Sequence, residues 1–247
     1  MDKKALYLST IDPRAGEIAR KYGLGLEIAE FCTALNMDEN FPEMDARVRG
    51  ELGGIEKRML HAPFNELFPC AVDPRARALA AERYRQAIAL AAGYGAKRVV
   101  IHGGFQPFSY YRQWYVEQSV IFWKDFLREI PADTELLLEN VLEPEPEYLL
   151  DIVSAVGDAR LGLCLDVGHG NVYSKVPLDI WLETLAPYLR HFHIHNNDGA
   201  WDTHGPLDRG TIPIKHLLAR ARELCPGASS TLELPEAEPS VRWLLEE

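Results

Sequence analysis

Short apolar runs alternate with longer amphipathic segments along the whole chain. The short runs hold four to seven residues and are rich in leucine, valine and isoleucine, which predicts buried β-strands. The predicted strands are Ala5–Leu8, Gly23–Ala29, Arg58–His61, Arg98–His102, Glu135–Glu139, Leu161–Asp166, Arg190–His195 and Ser230–Glu233.

Each predicted strand is followed by a segment with helical periodicity or composition. The predicted helices are Asp12–Tyr22, Asp38–Leu52, Pro74–Tyr94, Tyr111–Glu129, Glu145–Val156, Leu178–Tyr188, Pro213–Leu224 and Ser240–Glu246. Strands that alternate with helices form a parallel sheet, and eight such units predict an α/β fold, a single (β/α)₈ TIM barrel spanning residues 1–247. An open doubly wound sheet is the alternative, but it usually has fewer strands, and no glycine-rich phosphate loop follows the first strand.

Composition and charge argue against a nucleic-acid-binding protein, a membrane protein and a disulfide-stabilised protein. The formal net charge of -11 argues against a broad nucleic-acid interface, which needs clustered lysine and arginine. No apolar run is long enough to span a membrane, and the one before Asp12 is too short for a signal-peptide core. The four cysteines are far apart, which predicts reduced thiols and no disulfide framework. We therefore expect a cytoplasmic protein without a membrane partner, and we leave open whether it forms a homo-oligomer.

A side chain that can bind a metal stands at or near the end of six successive predicted strands. These residues are His61, His102, Glu139, Asp166, His193 and Glu233. In barrel enzymes the carboxyl ends of the strands form the active-site face. An acid at the end of an apolar strand is costly to bury without a cation. The three acids in this set therefore predict a metal site at the barrel mouth.

The seventh strand and the loop after it carry further candidate ligands. Alternate side chains of a strand share one face, so His191, His193 and His195 point to the same side. Asp202 and His204 follow in the polar loop. Imidazoles and carboxylates together suit zinc, manganese or iron. A single histidine here would more often be structural, so the metal prediction depends on the whole set.

Seven short motifs at these positions resemble a known family. They are HAPF at 61–64, HGG at 102–104, LLLEN at 136–140, LDVGH at 165–169, HIHNNDG at 193–199, DTH at 202–204 and LELP at 232–235. Their order and placement resemble the xylose isomerase-like TIM barrels, which include sugar phosphate isomerases and epimerases and the endonuclease IV group. The resemblance covers nearly the whole chain, and it is specific for the superfamily but weak for the substrate.

The resemblance implies two alternative metal centres. In the isomerase and epimerase branch, one metal is held by four residues, and two of them, both glutamates, also act as the acid/base pair. By match these four are Glu139, Asp166, His193 and Glu233. In the endonuclease IV branch, three zinc ions are held by nine ligands. By match the nine are His61, His102, Glu139, Asp166, His169, His193, Asp202, His204 and Glu233, so the ligand set alone does not separate the branches.

Two departures from the family pattern bear on the substrate. Arg209 stands in the loop where members often have Gly-x-Gly, so this side chain could reach the substrate. His195 stands where an aspartate or asparagine is expected beside the metal histidine. The candidate substrate contacts are His169, His195, Arg209 and Trp201, with Phe64, Phe105 and Trp114 as further candidate pocket walls.

The leading hypothesis is a metal-dependent isomerase or epimerase of a small sugar, sugar phosphate or related ketone. One to three divalent ions, zinc or manganese rather than magnesium alone, would stabilise the ene-diolate that forms on deprotonation. Glu139 and Glu233 would move the proton. The alternatives are a two- or three-zinc phosphoesterase and a metal-dependent dehydratase on the same barrel. A sugar-binding barrel without catalysis is the non-enzyme alternative, and the presence of both glutamates argues against it.

Overall fold

The computed structural model describes residues 3–245, and eight parallel strands in it close into a barrel in chain order. The strands are β1 (Leu6–Ser9), β2 (Gly25–Ile28), β3 (Arg58–His61), β4 (Arg98–His102), β5 (Glu135–Glu139), β6 (Leu161–Asp166), β7 (Leu189–Ile194) and β8 (Ser229–Leu232). The α-helices of the described residues are α1 (Ala15–Tyr22), α2 (Ala34–Asp38), α3 (Phe41–Glu51), α4 (Pro74–Gly93), α5 (Arg112–Glu129), α6 (Glu147–Val156), α7 (Val167–Tyr173), α8 (Leu178–Leu185), α9 (Ile214–Leu224) and α10 (Glu238–Leu245).

The predicted barrel is confirmed, and four of the eight strands have the predicted bounds. The β7 and β8 strands end one residue earlier than predicted, so His195 and Glu233 lie just beyond the sheet. The last predicted helix extended to Glu246, which lies outside the described residues.

The helix predictions were wrong at two places, and local chemistry explains both. The helix predicted over residues 38–52 is α3, which begins three residues later at Phe41, and the short helix α2 before it was not predicted. Pro42 occupies the first turn of α3, where its missing N–H leaves no hydrogen bond unmade, and Thr33 caps α2. Helix α7 was not predicted. It begins directly after β6, where the side chain of Asp166 accepts a hydrogen bond from the backbone N–H of His169.

Two apolar layers position the strand ends. One small cluster fills the inside of the barrel and consists of Tyr7, Met59, Val100, Leu137 and Cys164. A much larger cluster packs the outside of the strands against the helices. Because side chains alternate along each strand, the residue two positions after an inward apolar side chain also points inward. The candidate ligands at the strand ends therefore lie directly above the interior cluster.

All four cysteines are free thiols, as the sequence predicts. None of the helices in the described part of the chain is both long and apolar enough to cross a membrane.

Candidate metal centre and active site

The strand register brings the predicted ligands together at one end of the barrel. His102 on β4 pairs with Glu139 on β5, and Asp166 on β6 pairs with His193 on β7. Paired residues of neighbouring parallel strands project to the same side of the sheet. Six candidate ligands lie at or near strand ends, and His169 on α7 together with Asp202 and His204 in the loop after β7 join them at the carboxyl end of the barrel.

Glu139 is at the centre of this arrangement and is fully buried. Its Oε2 atom lies 3.2 Å from Nε2 of His61 and 3.3 Å from Nε2 of His102. Its Oε1 atom lies 3.3 Å from Nδ1 of His169 and 3.2 Å from Nδ1 of His193. A single carboxylate therefore contacts four imidazoles from four different segments of the chain.

Three carboxylates face a single nitrogen of His193. Its Nδ1 atom lies 3.2 Å from Oε1 of Glu139, 3.5 Å from Oε2 of Glu233 and 3.9 Å from Oδ2 of Asp166. His193, Glu139 and Asp166 are fully buried, and Glu233 is 5% exposed. Three buried acids at this separation repel one another strongly unless a cation lies among them.

The loop after β7 contributes Asp202, which lies among three histidines next to the cluster around Glu139. Asp202 Oδ2 lies 3.2 Å from Nε2 of His169 and 3.3 Å from Nε2 of His204. Asp202 Oδ1 lies 3.6 Å from Nε2 of His195. Asp202 therefore connects the α7 histidine to the polar loop.

Backbone carbonyls orient three of the candidate ligand imidazoles. A carbonyl can only accept a hydrogen bond, so the Nδ1 atom that contacts it carries a proton, and in the neutral ring that a metal binds the Nε2 atom has the lone pair. These contacts are His61 to Ala62 at 2.8 Å, His169 to Asn140 at 2.9 Å and His204 to Glu233 at 2.9 Å. In all three residues the Nε2 atom faces a carboxylate of the site. Metal-binding histidines commonly show this arrangement.

The buried polar atoms of the site fit a divalent cation. Oε1 of Glu139, Nδ1 of His193 and Oδ1 of Asp202 are buried without a hydrogen-bond partner. Such orphaned atoms are costly in a protein interior, and a bound cation would satisfy them. Within residues 3–245, five sets of three donors have ligand atoms within 4.8 Å of one another. Four of them lie at the site: His61–Glu139–His193, Glu139–Asp166–His169, Asp166–His193–Glu233 and His169–Asp202–His204.

The two glutamates of the site have opposite pKa shifts. Burial alone would raise the pKa of Glu139, but His193 and His102 hold it well below its usual range. Burial raises the pKa of Glu233, with the nearby charges of Glu139 and Glu27 in support, against the opposing effect of His193. In acid/base catalysis, a pair of carboxyls with divergent pKa values commonly divides the roles of base and acid.

A cavity of about 450 Å³ opens above these residues, a volume in the range of small-molecule sites. Its inner wall includes His61, His102, Glu139, His169 and Glu233. No lysine or arginine is among the described residues that line it.

The predicted substrate contacts are distributed unevenly around this cavity. His169 lines it, whereas His195 is fully buried behind it and contacts Asp166 at 3.2 Å. Arg209 and Trp201 are exposed and do not line the cavity, so their role as substrate contacts stays a prediction. Of the predicted walls, Phe64 and Phe105 line the cavity. Trp114 does not, and its indole N–H donates to the carbonyl of Cys70.

Sequence reasoning missed one residue of the site, Glu27 on β2. This carboxylate is fully buried, and its Oε1 atom lies 3.0 Å from Nε2 of His193. A signal was available, because Glu27 is the lone charged residue in the apolar run Gly23–Ala29. Glu27, like Glu139 after its three leucines, is an acid in an apolar strand and is costly to bury without a partner.

The ring of His195 packs directly against Gly168, in the space that a side chain at position 168 would fill. A Cβ atom at this position would overlap Cε1 of His195, whose ring stacks on His204 at 4.0 Å. We expect Gly168→Ala to lower the free energy of unfolding by about 3 kcal/mol, the upper range for overpacking. The matched control is Gly50→Ala in helix α3, where an added Cβ meets no atom within 4 Å and should stabilise the helix by about 0.5–1 kcal/mol. Urea unfolding measures both, and effects of the same sign would contradict the expectation.

Comparison with known proteins places this architecture in a family. Residues 14–247 match the family model of the xylose isomerase-like TIM barrel. An uncharacterized protein of Methanocaldococcus jannaschii is 31% identical over an alignment of 181 residues, and the match covers 67% of this chain. The match spans 60% of that protein's length.

Two solved structures illustrate the similarity over nearly the full chain. The TTHB071 protein from Thermus thermophilus, in crystals soaked with zinc chloride, is 28% identical with a TM-score of 0.76. The match covers 98% of this chain and 97% of that one. A D-tagatose 3-epimerase-like protein is 23% identical with a TM-score of 0.79, and the match covers 98% and 96% of the two chains. At 23% identity, the similarity to the epimerase-like protein shows a shared fold alone.

Proposed function

The chain belongs to the xylose isomerase-like TIM barrel family, and we propose that it is a metal-dependent isomerase or epimerase of a small sugar. The observation that carries this proposal is the convergence of Glu139 and Glu233 on Nδ1 of His193, at 3.2 and 3.5 Å. The two carboxylates come from β5 and from the end of β8, so they approach the inner end of the cavity from different sides.

The metal would be held by residues whose buried ligand atoms lack a hydrogen-bond partner or carry charges that repel one another. For one ion these are Glu139, Asp166, His193 and Glu233. When bound, a divalent cation would polarise a substrate carbonyl and stabilise negative charge on its oxygen. Support for zinc comes from the mixed imidazole and carboxylate donors, and from the zinc-soaked relative.

The glutamates supply the proton transfer in this proposal. One carboxylate removes the proton from the carbon next to the carbonyl, and the other returns a proton to the product. A cation bound at Glu139 and Glu233 would favour the ionised form of both, so one can act as the base while the other passes on a proton taken up from solvent. Phe64 and Phe105 form apolar walls that help to exclude water from the reacting carbon.

The lining of the cavity favours a neutral sugar over a sugar phosphate. Phosphate groups are usually held by arginine, lysine or the N-terminus of a helix. The described residues around this cavity include neither basic residue type, whereas several carboxylates face it. A polyhydroxylated ketone without a charged group suits this lining better.

Solvent deuterium tests the proposal directly. The zinc- or manganese-loaded protein is incubated with free ketoses, and separately with their phosphates, in D₂O. We expect deuterium at the carbon beside the carbonyl and formation of the epimer or isomer, with free ketoses preferred. Neither exchange nor product with any ketose would contradict the proposal.

A second candidate is a multi-zinc phosphoesterase. The observation in its favour is that His169, Asp202 and His204 form a donor group next to the one built around His193. Two or three ions could thus be held side by side, as in-line displacement at phosphorus commonly uses. Binding of three zinc ions per chain, together with cleavage of an aryl phosphodiester, would favour this function over isomerisation.

A further inference from the structure

A buried hydrogen-bonded chain lies inside the barrel directly beneath His193. Glu27 Oε1 lies 3.0 Å from Nε2 of His193, and the hydroxyl of Thr231 donates a short hydrogen bond to Glu27 Oε2. Nε2 of His191 lies 2.8 Å from the same hydroxyl, and its Nδ1 lies 2.6 Å from the hydroxyl of Ser229. The catalytic scheme above uses none of these residues except His193.

We propose that Glu27 is a positioning residue that holds His193 with a proton on Nε2 and its Nδ1 lone pair directed at the metal centre. The proposal rests on the proposed function only in taking His193 as a metal ligand. It assigns Glu27 a role in metal affinity and leaves the identity of the substrate open.

The partner of each ring nitrogen determines where the proton of His193 lies. An ionised carboxylate is only an acceptor, so the nitrogen that faces Glu27 must be the donor. A neutral imidazole carries one proton, and with that proton on Nε2 the Nδ1 atom is free to bind a cation. Nδ1 is also the atom that faces Glu139, Glu233 and Asp166. Glu27 thus selects the tautomer that the site requires.

His193 differs from the other anchored histidines of the site. His61, His169 and His204 are held through Nδ1 by backbone carbonyls and present Nε2. His193 is held through Nε2 and presents Nδ1. A carboxylate carries a full negative charge, whereas a carbonyl does not. A carboxylate bound to one ring nitrogen therefore makes the other nitrogen a stronger electron-pair donor to a metal.

Glu27 is itself held in a fixed position. It is fully buried on β2, and the Thr231 hydroxyl and the His191 ring, 3.5 Å away, contact its second oxygen. The carboxylate cannot turn away to solvent. Its contact with His193 is therefore available before any metal binds.

The test compares Glu27→Gln with Glu135→Gln. Glu135 is a carboxylate at the opposite end of the barrel interior, where it pairs with Arg98 at 2.7 Å and Arg190 at 2.6 Å. It contacts no candidate ligand, so the same change there controls for loss of a partly buried carboxylate. The zinc dissociation constant is measured by competition with a chromophoric chelator. We expect about 10- to 100-fold weaker binding in Glu27→Gln and less than about a threefold change in Glu135→Gln.

Imidazole ¹H–¹⁵N NMR of the zinc-loaded wild type supplies a readout that needs no variant. We expect the proton of His193 on Nε2 and the metal on Nδ1. A proton on Nδ1, or equal zinc affinity in Glu27→Gln and the wild type, would overturn the proposal. If zinc affinity falls as expected but no sugar is turned over, the role of Glu27 stands and the isomerase function fails.

Discussion

Glu139→Gln is expected to lower kcat by at least about 10³-fold. The substitution keeps the shape of the side chain but removes the charge that faces four imidazoles, so the site loses both its proton acceptor and a metal ligand. A general acid or base alone is worth roughly 10²- to 10⁴-fold in rate, and the loss of metal affinity adds to this. Steady-state kinetics at saturating zinc or manganese, with elemental analysis of the same samples, measures the two contributions.

Glu143→Gln is the matched control for this variant. Glu143 is a buried carboxyl four residues further along the chain, bonded to the Tyr115 hydroxyl and the backbone N–H of Val141. A glutamine can keep both contacts, since its oxygen can accept from the N–H of Val141 while its NH₂ group donates to the Tyr115 hydroxyl, so the amide is a mild change there. We expect kcat within about threefold of the wild type for Glu143→Gln. Full activity of Glu139→Gln would refute the assignment of Glu139.

Removal of bound metal is expected to lower the melting temperature by about 10 °C. A ligand present at about 1,000 times its dissociation constant stabilises the folded state by roughly 4 kcal/mol, and each kcal/mol is worth about 2–4 °C for a chain of this size. The physical reason is the repulsion among Glu139, Asp166 and Glu233, which surround one nitrogen and lose their cation. Circular dichroism melts before and after dialysis against a chelator measure the shift.

Zinc added back should restore the melting temperature, and magnesium should not, because the site offers imidazole nitrogens to the ion. Glu139→Gln should show a much smaller shift on chelation, since its site is already impaired. Elemental mass spectrometry of the untreated protein gives the number of ions per chain. Identical melting curves with and without chelator, in a protein that contains no metal, would contradict the metal centre.

Much of the fold follows from the local pattern of the sequence. Short apolar runs that alternate with amphipathic segments predicted the barrel, because a strand buried on both faces and a helix buried on one have different periodicities. The same pattern located Glu139 and Asp166, since an acid that ends an apolar strand stands out from its neighbours. Helix boundaries were less accurate where a proline or an aspartate cap decided them.

The grouping of the ligands could not be predicted in the same way. Asp202 and His204 lie in a loop without periodicity, and their position beside His169 depends on how that loop folds over α7. Arg209 and Trp201 lie in the same segment, yet their side chains are exposed outside the cavity.

The sequence by itself determined the barrel and the end of it at which the candidate ligands lie, because those depend on patterns within single strands and helices. Only the tertiary structure decided which nitrogen of each histidine faces which carboxylate. It also decided that Glu27 supports His193 from below, 166 positions away in the chain. Such contacts depend on strand register around a closed barrel and on side-chain orientation. Strand register and side-chain orientation cannot be read from the order of neighbouring residues in the sequence.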